Sequence, residues 1–226
     1  MSRIFFGEKM KFYPVNLNLE NKKCVVIGGG KVALRKILTL LDCGAKVEVI
    51  APKVCEEISQ LADEKKIILL REKYSAEKIS DGMILIAATD NFEINKKILA
   101  DGREKNFLVN VVEGESDFNI PSKIERGNFL LTISTGGKSP AFSKFFRENL
   151  EKEFDKNFGE GLKIISHYRQ EVKKILQNHE DRKIFWRKVL TPEMWKIFKN
   201  GEFEKAEEII KNALGSVGTE LQNRTD

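Results

Sequence analysis

The stretch Val25-Val26-Ile27-Gly28-Gly29-Gly30-Lys31-Val32-Ala33 constrains this chain more than any other. An apolar run stops at three glycines, and a segment with helical spacing starts directly after them. Gly28-x-Gly30-x-x-Ala33 fits the G-x-G-x-x-G/A form and stands where that form must stand, between a strand and a helix. Gly28 allows a tight turn, Gly30 lets the backbone approach a pyrophosphate, and the small Ala33 lets the helix pack close to the strand. A helix N-terminus there presents unpaired N–H groups and partial positive charge to phosphates. Glycine-rich turns of this kind also occur without ligands, so the surrounding pattern has to carry the nucleotide reading.

That pattern is a repeated alternation. "KCVVIGG" reads as a buried strand, and "VALRKILTLLDCG" as a helix with Val32, Leu34, Ile37, Leu38 and Leu41 on one face and Gly44 ending it. "AKVEVIAP", "IILLREKY", "GMILIAATD" and "FLVNVV" read as further strands, with "CEEISQLADEKK" and "NFEINKKILADGREKN" as helices between them. Apolar strands alternating with helices predict an α/β fold, a Rossmann-type parallel sheet over residues 1–113. The texture then changes to "GESDFNIPSKIERGNFLLTISTGGKSP", with few helix signals and one strand at "NFLLTIS". This reads as a small α+β segment over residues 114–150, followed by a helical C-terminal domain over 151–226. Ser139 and Pro140 are placed as N-cap and first-turn residue of the first of these helices. Phe142, Phe145, Phe146, Leu150 and Phe154 share a helical face that suits a core or a subunit interface. The tail "VGTELQNRTD" is expected to fray.

Composition excludes several classes. Of 226 residues 41% are hydrophobic and 32% charged, enough for a core, and no run approaches the ~18 apolar residues of a membrane span. The N-terminal "MSRIFFGEKMKFYP" lacks the apolar core of a secretion signal. Three cysteines, Cys24, Cys43 and Cys55, form no CxxC pair and predict reduced thiols in a cytoplasm. A net charge of +5, spread through the chain, gives no particular reason for nucleic-acid binding. The two histidines, His167 and His179, belong to no cluster with metal-ligand spacing and are expected on solvated faces, so no resident metal is predicted. Gly137-Lys138-Ser139 resembles the end of a P-loop, but Thr132 stands where that loop needs its first glycine.

Four places compete for chemistry. A ribose-holding acid is expected about 20 residues past the glycines, where the chain reads Val49-Ile50-Ala51-Pro52-Lys53. Backbone could hold the ribose there, or Lys53 an extra phosphate, so the residues leave NAD and NADP both open. Thr89 and Asp90 close a strand at the sheet's carboxyl edge, where ligands bind, although Asp90 with Glu93 also reads as a helix capping box. Asn110 lies within the next strand and Glu113 just past it, a partly shielded position for a proton acceptor, with Glu115 and Asp117 as rivals. "STGGKSP" suits an anion-binding nest, and equally a turn into a capped helix.

Taken in order, "FYPVNLNLENKKCVVIGGGKVALRKILTLLDCGAKVEVIAP", "AATDNFEINKKI" and "VNVVEGESDFNIPSKIERGNFLLTISTGGKSPAFSKFFRENLE" closely resemble the precorrin-2 dehydrogenase family. That family also forms the N-terminal part of siroheme synthase, and some members double as sirohydrochlorin ferrochelatase. The resemblance covers roughly residues 11–154. It implies an NAD-binding domain, a dimerisation segment and a helical part that helps enclose a tetrapyrrole, in a cytoplasmic homodimer that oxidises precorrin-2 to sirohydrochlorin. It places the general base on Glu113 and cofactor contacts on Gly28, Gly29, Gly30, Lys31, Val32, Pro52, Lys53, Thr89 and Asp90. Substrate contacts fall on Asn110, Arg126, Ser134, Thr135, Gly136 and Lys138. Lys31, Arg35, Lys144 and Arg147 add positive charge suited to a polycarboxylate. Most relatives carry aspartate where this chain has Glu113, and a following loop about two residues longer. The added methylene moves the carboxylate by on the order of 1.5 Å. A different class fits the same glycine loop: an NAD(H)-sensing module whose helical tail binds a partner protein.

Overall fold

Cys24, Val25, Val26 and Ile27 are buried without a break, which only a strand covered on both faces allows. They form β1 (Lys23–Ile27), the centre of a five-stranded parallel sheet in the computed structural model, which describes residues 11–222. The other strands are β2 (Lys46–Ile50), β3 (Ile67–Leu70), β4 (Ile84–Ala87) and β5 (Leu108–Val111), in the order β3-β2-β1-β4-β5. Three helices connect them: α1 (Lys31–Asp42), α2 (Glu56–Asp63) and α3 (Phe92–Glu104). Alternate residues serve opposite layers. Cys24, Val26, Val49 and Ile86 pack with Ala33, Ile37 and Ile58, while Val25, Ile27, Leu85 and Val109 pack with Ile98 and Leu99.

The expected alternation is the observed one, with one rotation of detail. The buried face of α1 is Ala33, Ile37 and Leu40, whereas Val32 and Leu38 are exposed. Gly44 ends that helix with a φ of +74°, a value that suits a residue without Cβ.

The chain divides between Ile120 and Pro121 into two compact units. The second opens with a hairpin, β6 (Ser122–Arg126) and β7 (Phe129–Ile133), of which the sequence pattern had marked only β7. Ser122-Lys123-Ile124-Glu125-Arg126 has one apolar side chain, Ile124, and it is buried; a single inward residue leaves no alternation to read. Gly127, with φ +60°, opens the two-residue turn. Five helices follow: α4 (Pro140–Glu153), α5 (Lys156–Ile175), α6 (His179–Val189), α7 (Pro192–Asn200) and α8 (Phe203–Gln222). Ser139 caps α4 as expected, accepting the Phe142 amide at 3.2 Å, with Pro140 in the first turn. The last four helices close over Tyr168, Val172, Phe185, Met194, Ile197 and Ile210. Phe129, Phe154, Phe158 and Trp195 stack between hairpin and helices, with centroids 4.7–6.1 Å apart.

α8 continues to Gln222, into the tail expected to fray, and residues 223–226 lie outside the described residues. So do residues 1–10 of the stretch read for a secretion signal. Among the described residues, no helix is long and apolar enough to cross a membrane.

Candidate functional site

Strand order puts the switch point of the sheet between β1 and β4, and the loops leaving those strands meet there. Gly28 has a φ of +135°, and a Cβ on it would lie 2.3 Å from the Ala88 carbonyl oxygen. Gly29 is hemmed in from the other side: its Cβ would sit 2.0 Å from the Lys53 oxygen, and its carbonyl accepts the Cys55 amide at 2.8 Å. Gly30 is the N-cap of α1 and faces open space, with nothing within 4 Å of an added Cβ and no side chain capping the helix. The first helical bond runs from the Leu34 amide to the Gly30 carbonyl, 3.0 Å, so the amides of Lys31, Val32 and Ala33 have no partner within the helix. Bare backbone, an open Gly30 and a fully buried Ala33 fit a dinucleotide pyrophosphate.

Lys31, Val32, Pro52 and Lys53 are exposed around this cradle. The ribose-holding acid missing from the end of β2 has a neighbour that spacing did not reveal. In the first turn of α2, the Glu57 carboxylate accepts from its own amide and from the Cys55 thiol and feels the Lys31 charge. Together these hold it below the usual glutamate range.

At the end of β4, Thr89 is fixed by a side chain the sequence reading passed over. Buried Asn95 accepts from the Thr89 hydroxyl at 2.7 Å and from its amide at 3.3 Å, and donates to its carbonyl at 3.0 Å. The capping box proposed for Asp90 and Glu93 is not formed. Asn91 caps α3 instead, accepting the Ile94 amide at 3.0 Å, and Asp90 is exposed. Two cap-forming residues stood side by side, and the one whose side chain reaches the third following amide took the role.

Glu113 lies just past β5, and the Val112 amide before it donates to the Ala87 carbonyl at 3.0 Å. The expected partial shielding is absent: Glu113 is exposed, because the chain turns outward at Gly114 (φ +125°). Its rivals are occupied. Asp117 accepts Arg103 Nε at 2.9 Å on one oxygen and the Val109 amide at 3.0 Å on the other. Glu115 accepts Arg103 Nη2 at 2.7 Å. These two carboxylates, Glu115 first, push the Arg103 guanidinium pKa further up. The Asn110 side chain is buried and donates to the Phe118 carbonyl at 2.9 Å, bracing the same loop.

The remaining expected substrate contacts lie in the second unit. Thr135 is turned inward, bonded at 3.2 Å to the Ser139 amide and carbonyl and to the hydroxyl of buried Ser143. Ser134 Oγ accepts the Gly136 amide at 3.2 Å, and Gly136 and Gly137 both have positive φ. Lys138 is exposed, and Arg126, at the end of β6, is half-buried. Lys144 and Arg147 meet Glu148 and Glu151 at 3.8 and 2.8 Å on α4; the first pair is exposed and weak enough to exchange partners, the second half-buried. The cysteines are free thiols, His167 and His179 are exposed, and no group of three or more metal-ligating side chains occurs among the described residues.

A parallel sheet of this order with a bare glycine cradle at its switch point defines an NAD(P)-binding protein of the Rossmann type, and residues 15–122 match a family described as "Putative NAD(P)-binding". Residues 157–214 match the sirohaem synthase dimerisation region. The chain is 33% identical over 207 residues to siroheme synthase of Nitrosococcus oceani, covering 91% of this chain and 44% of that one. It is 31% identical over 223 residues to siroheme synthase of Nitrosospira multiformis, covering 96% and 46%. The solved structure of SirC, a precorrin-2 dehydrogenase, superimposes with a TM-score of 0.74 at 25% identity, covering 89% of this chain and 98% of that one. The chain therefore belongs to the precorrin-2 dehydrogenase family, the N-terminal part of siroheme synthase, and spans less than half the length of the curated relatives it matches.

Proposed function

We propose that this chain is an NAD+-dependent dehydrogenase that oxidises precorrin-2 to sirohydrochlorin in siroheme synthesis, acting as a cytoplasmic homodimer. One observation carries the reading: cradle and carboxylate are fastened to consecutive residues at one strand end. Gly28 abuts Ala88, and the residue before Glu113 is bonded to Ala87. The oxidation removes a hydride and a proton from the substrate, so an acceptor for each must stand at one edge of the sheet.

Gly28, Gly29 and Gly30, with the first-turn amides of Lys31 and Val32, hold the pyrophosphate. Pro52 and Lys53 border the ribose, and Thr89 and Asp90 flank the cofactor at the end of β4. NAD+, when bound, supplies the hydride acceptor. Glu113 takes the proton at a carboxylate oxygen that no other side chain holds among the described residues. Asn110 keeps the Glu113 loop braced. Arg126, Ser134, Thr135, Gly136 and Lys138 recognise the polycarboxylate substrate, the two cations by charge and the loop by its amides. Functionally the chain then has three parts, a cofactor domain over 1–113, a dimerisation segment over 114–150 and a helical part over 151–226. The matched dimerisation region at 157–214 adds helices of the last part to the subunit contact.

A structural neighbour that is a precorrin-2 dehydrogenase, together with relatives that are siroheme synthases, favours this reading over the NAD(H) sensor. Purified protein mixed with precorrin-2 and NAD+ without oxygen should produce NADH and sirohydrochlorin in equal amounts, followed by absorbance. Glu113→Gln should lose turnover by about 100-fold or more while still binding NAD+. Cofactor binding without turnover of the wild-type chain would establish the sensor instead. Fe2+ added after the oxidation is complete reads iron insertion as a separate event.

A further inference from the structure

We propose that the Asp117–Arg103 pair is a positioning device for Glu113, and that Asp117 is not itself the base; this rests on the dehydrogenase reading above. β5 is the last strand of the sheet, paired on one side with β4 and bare on the other. Asp117 occupies that bare edge as a neighbouring strand would. Its amide donates to the Val109 carbonyl at 2.9 Å, and its carboxylate accepts the Val109 amide at 3.0 Å. Two residues along β5, the Ser116 hydroxyl accepts the Val111 amide at 2.9 Å and donates to the Val111 carbonyl at 3.1 Å. Residues 112–115 are thus a short loop with both ends tied to one strand, and Glu113 lies inside it.

Arg103 fastens the loop from a second element. One guanidinium on α3 reaches Asp117 through Nε and Glu115 through Nη2, so the loop is referred to the helix as well as to the strand. These are the charged groups that face Asp117: Arg103 from α3 and Glu115 from its own loop. Protonating Asp117 would surrender an acceptor at Arg103 or at Val109, so it is poorly placed to take a proton from substrate. Glu113 surrenders nothing. Its side chain stands on four rotatable-loop residues, and a general base displaced by about 1 Å can lose on the order of 100-fold in rate. The Arg103 end of the clamp is open to solvent, and ion pairs to an exposed cation contribute little to stability, so breaking them should show in turnover more than in melting.

The test is Asp117→Asn, assayed with precorrin-2 and NAD+ beside Glu113→Gln. An amide presents an oxygen to one neighbour only and turns a donor toward the Arg103 guanidinium or the Val109 amide. The expected result is a kcat about 10- to 100-fold lower, an unchanged KM for NAD+, and an acidic limb of the pH–rate profile with the same midpoint as wild type. Amide hydrogen exchange should rise across residues 110–118 and not elsewhere. Full kcat in Asp117→Asn overturns the proposal, and so does loss of the acidic limb, which would make Asp117 the base. If Asp117→Asn does not fold, Arg103→Gln leaves the Val109 bonds intact and must give the same four results. Failure of the underlying reading is separate: there Glu113→Gln itself keeps its rate.

Discussion

The Cys55 amide donates to the Gly29 carbonyl at 2.8 Å, tying the start of α2 directly to the glycine loop. The same approach puts the Lys53 oxygen 2.0 Å, and the Val54 Cα 2.8 Å, from where a Gly29 Cβ would stand. Backbone, not a flexible side chain, fills that space, so the second glycine is needed for loop-to-loop packing and the third for ligand access. Gly29→Ala should therefore push the β2–α2 connection away, lowering both thermal stability and NAD+ affinity. Gly30→Ala, with φ −88° and open space around it, should melt close to wild type and lose cofactor affinity by at least about tenfold. Thermal melts with NADH fluorescence titration separate the two. Equal melting losses in both variants would contradict this division of roles.

Asn95 satisfies the amide, hydroxyl and carbonyl of Thr89 from a buried position. Asn95→Leu keeps the volume but takes the partner from the Thr89 amide and carbonyl and leaves the hydroxyl only the Asn91 backbone, at 3.2 Å. It should cost about 1–3 kcal/mol in urea unfolding and weaken NAD+ binding through a displaced Thr89. Thr89→Val should cost less in the Asn95→Leu background than in the wild type, because there the hydroxyl has already lost its 2.7 Å bond to Asn95 and keeps only the Asn91 backbone at 3.2 Å. A simple sum of two losses would show that the pair is not coupled.

The first unit was legible because its signals agree at every level. Strands buried on both faces read as unbroken apolar runs, and glycines fall where backbone must approach backbone. What escaped was side-chain work without periodicity. Asn95 looks like any polar helix residue until it faces Thr89, and Arg103 like any surface cation until the 113–117 loop folds back against it. Asp117 could not be separated from Glu113 by spacing, because occupancy of its oxygens depends on pairing along the β5 edge. In the second unit, β6 went unseen because Ile124 alone points inward. The phenylalanine stripe also divides in two. Phe154 and Phe158 join Phe129 and Trp195, while Phe142, Phe145 and Phe146 remain at the surface.

Alkaline pH should destabilise the sheet through neighbouring residues of β1. Burial pushes the Cys24 thiol from 9.0 up to about 11, the Ile84 backbone partly opposing. Lys23 is also raised: burial lowers it, but Glu48 at 3.1 Å and Asp81 at 3.3 Å outweigh that. Both folded-state values lie above the unfolded ones, so the unfolded chain gives up these protons first. Stability is complete below about pH 9 and declines as pH rises toward 11 for Cys24, with the Lys23 contribution fading above 10.5. The urea midpoint should be flat to pH 9 and then fall, and Cys24→Ala should flatten its first part. At pH 8, a thiol reagent should modify exposed Cys43 quickly and Cys24 only on unfolding. A midpoint that rises between pH 9 and 11 would refute the assignment.

Phe142, Phe145 and Phe146 of α4 are 52, 60 and 40% exposed, and their rings touch, with centroids 4.7 and 5.9 Å apart. Contiguous aromatic surface of this kind marks an interaction face. In a chain carrying a matched dimerisation region, a second copy is the occupant the sequence supplies. Covering each ring contributes roughly 1.5–3 kcal/mol, so Phe142→Ser with Phe145→Ser should weaken dimerisation by at least about 100-fold. Because both side chains are exposed, α4 itself should fold as before, with unchanged circular dichroism. Sedimentation velocity over a concentration series reads the shift from dimer to monomer directly. A dimer that persists at the same concentrations would move the subunit contact away from α4 and onto the helices between residues 157 and 214.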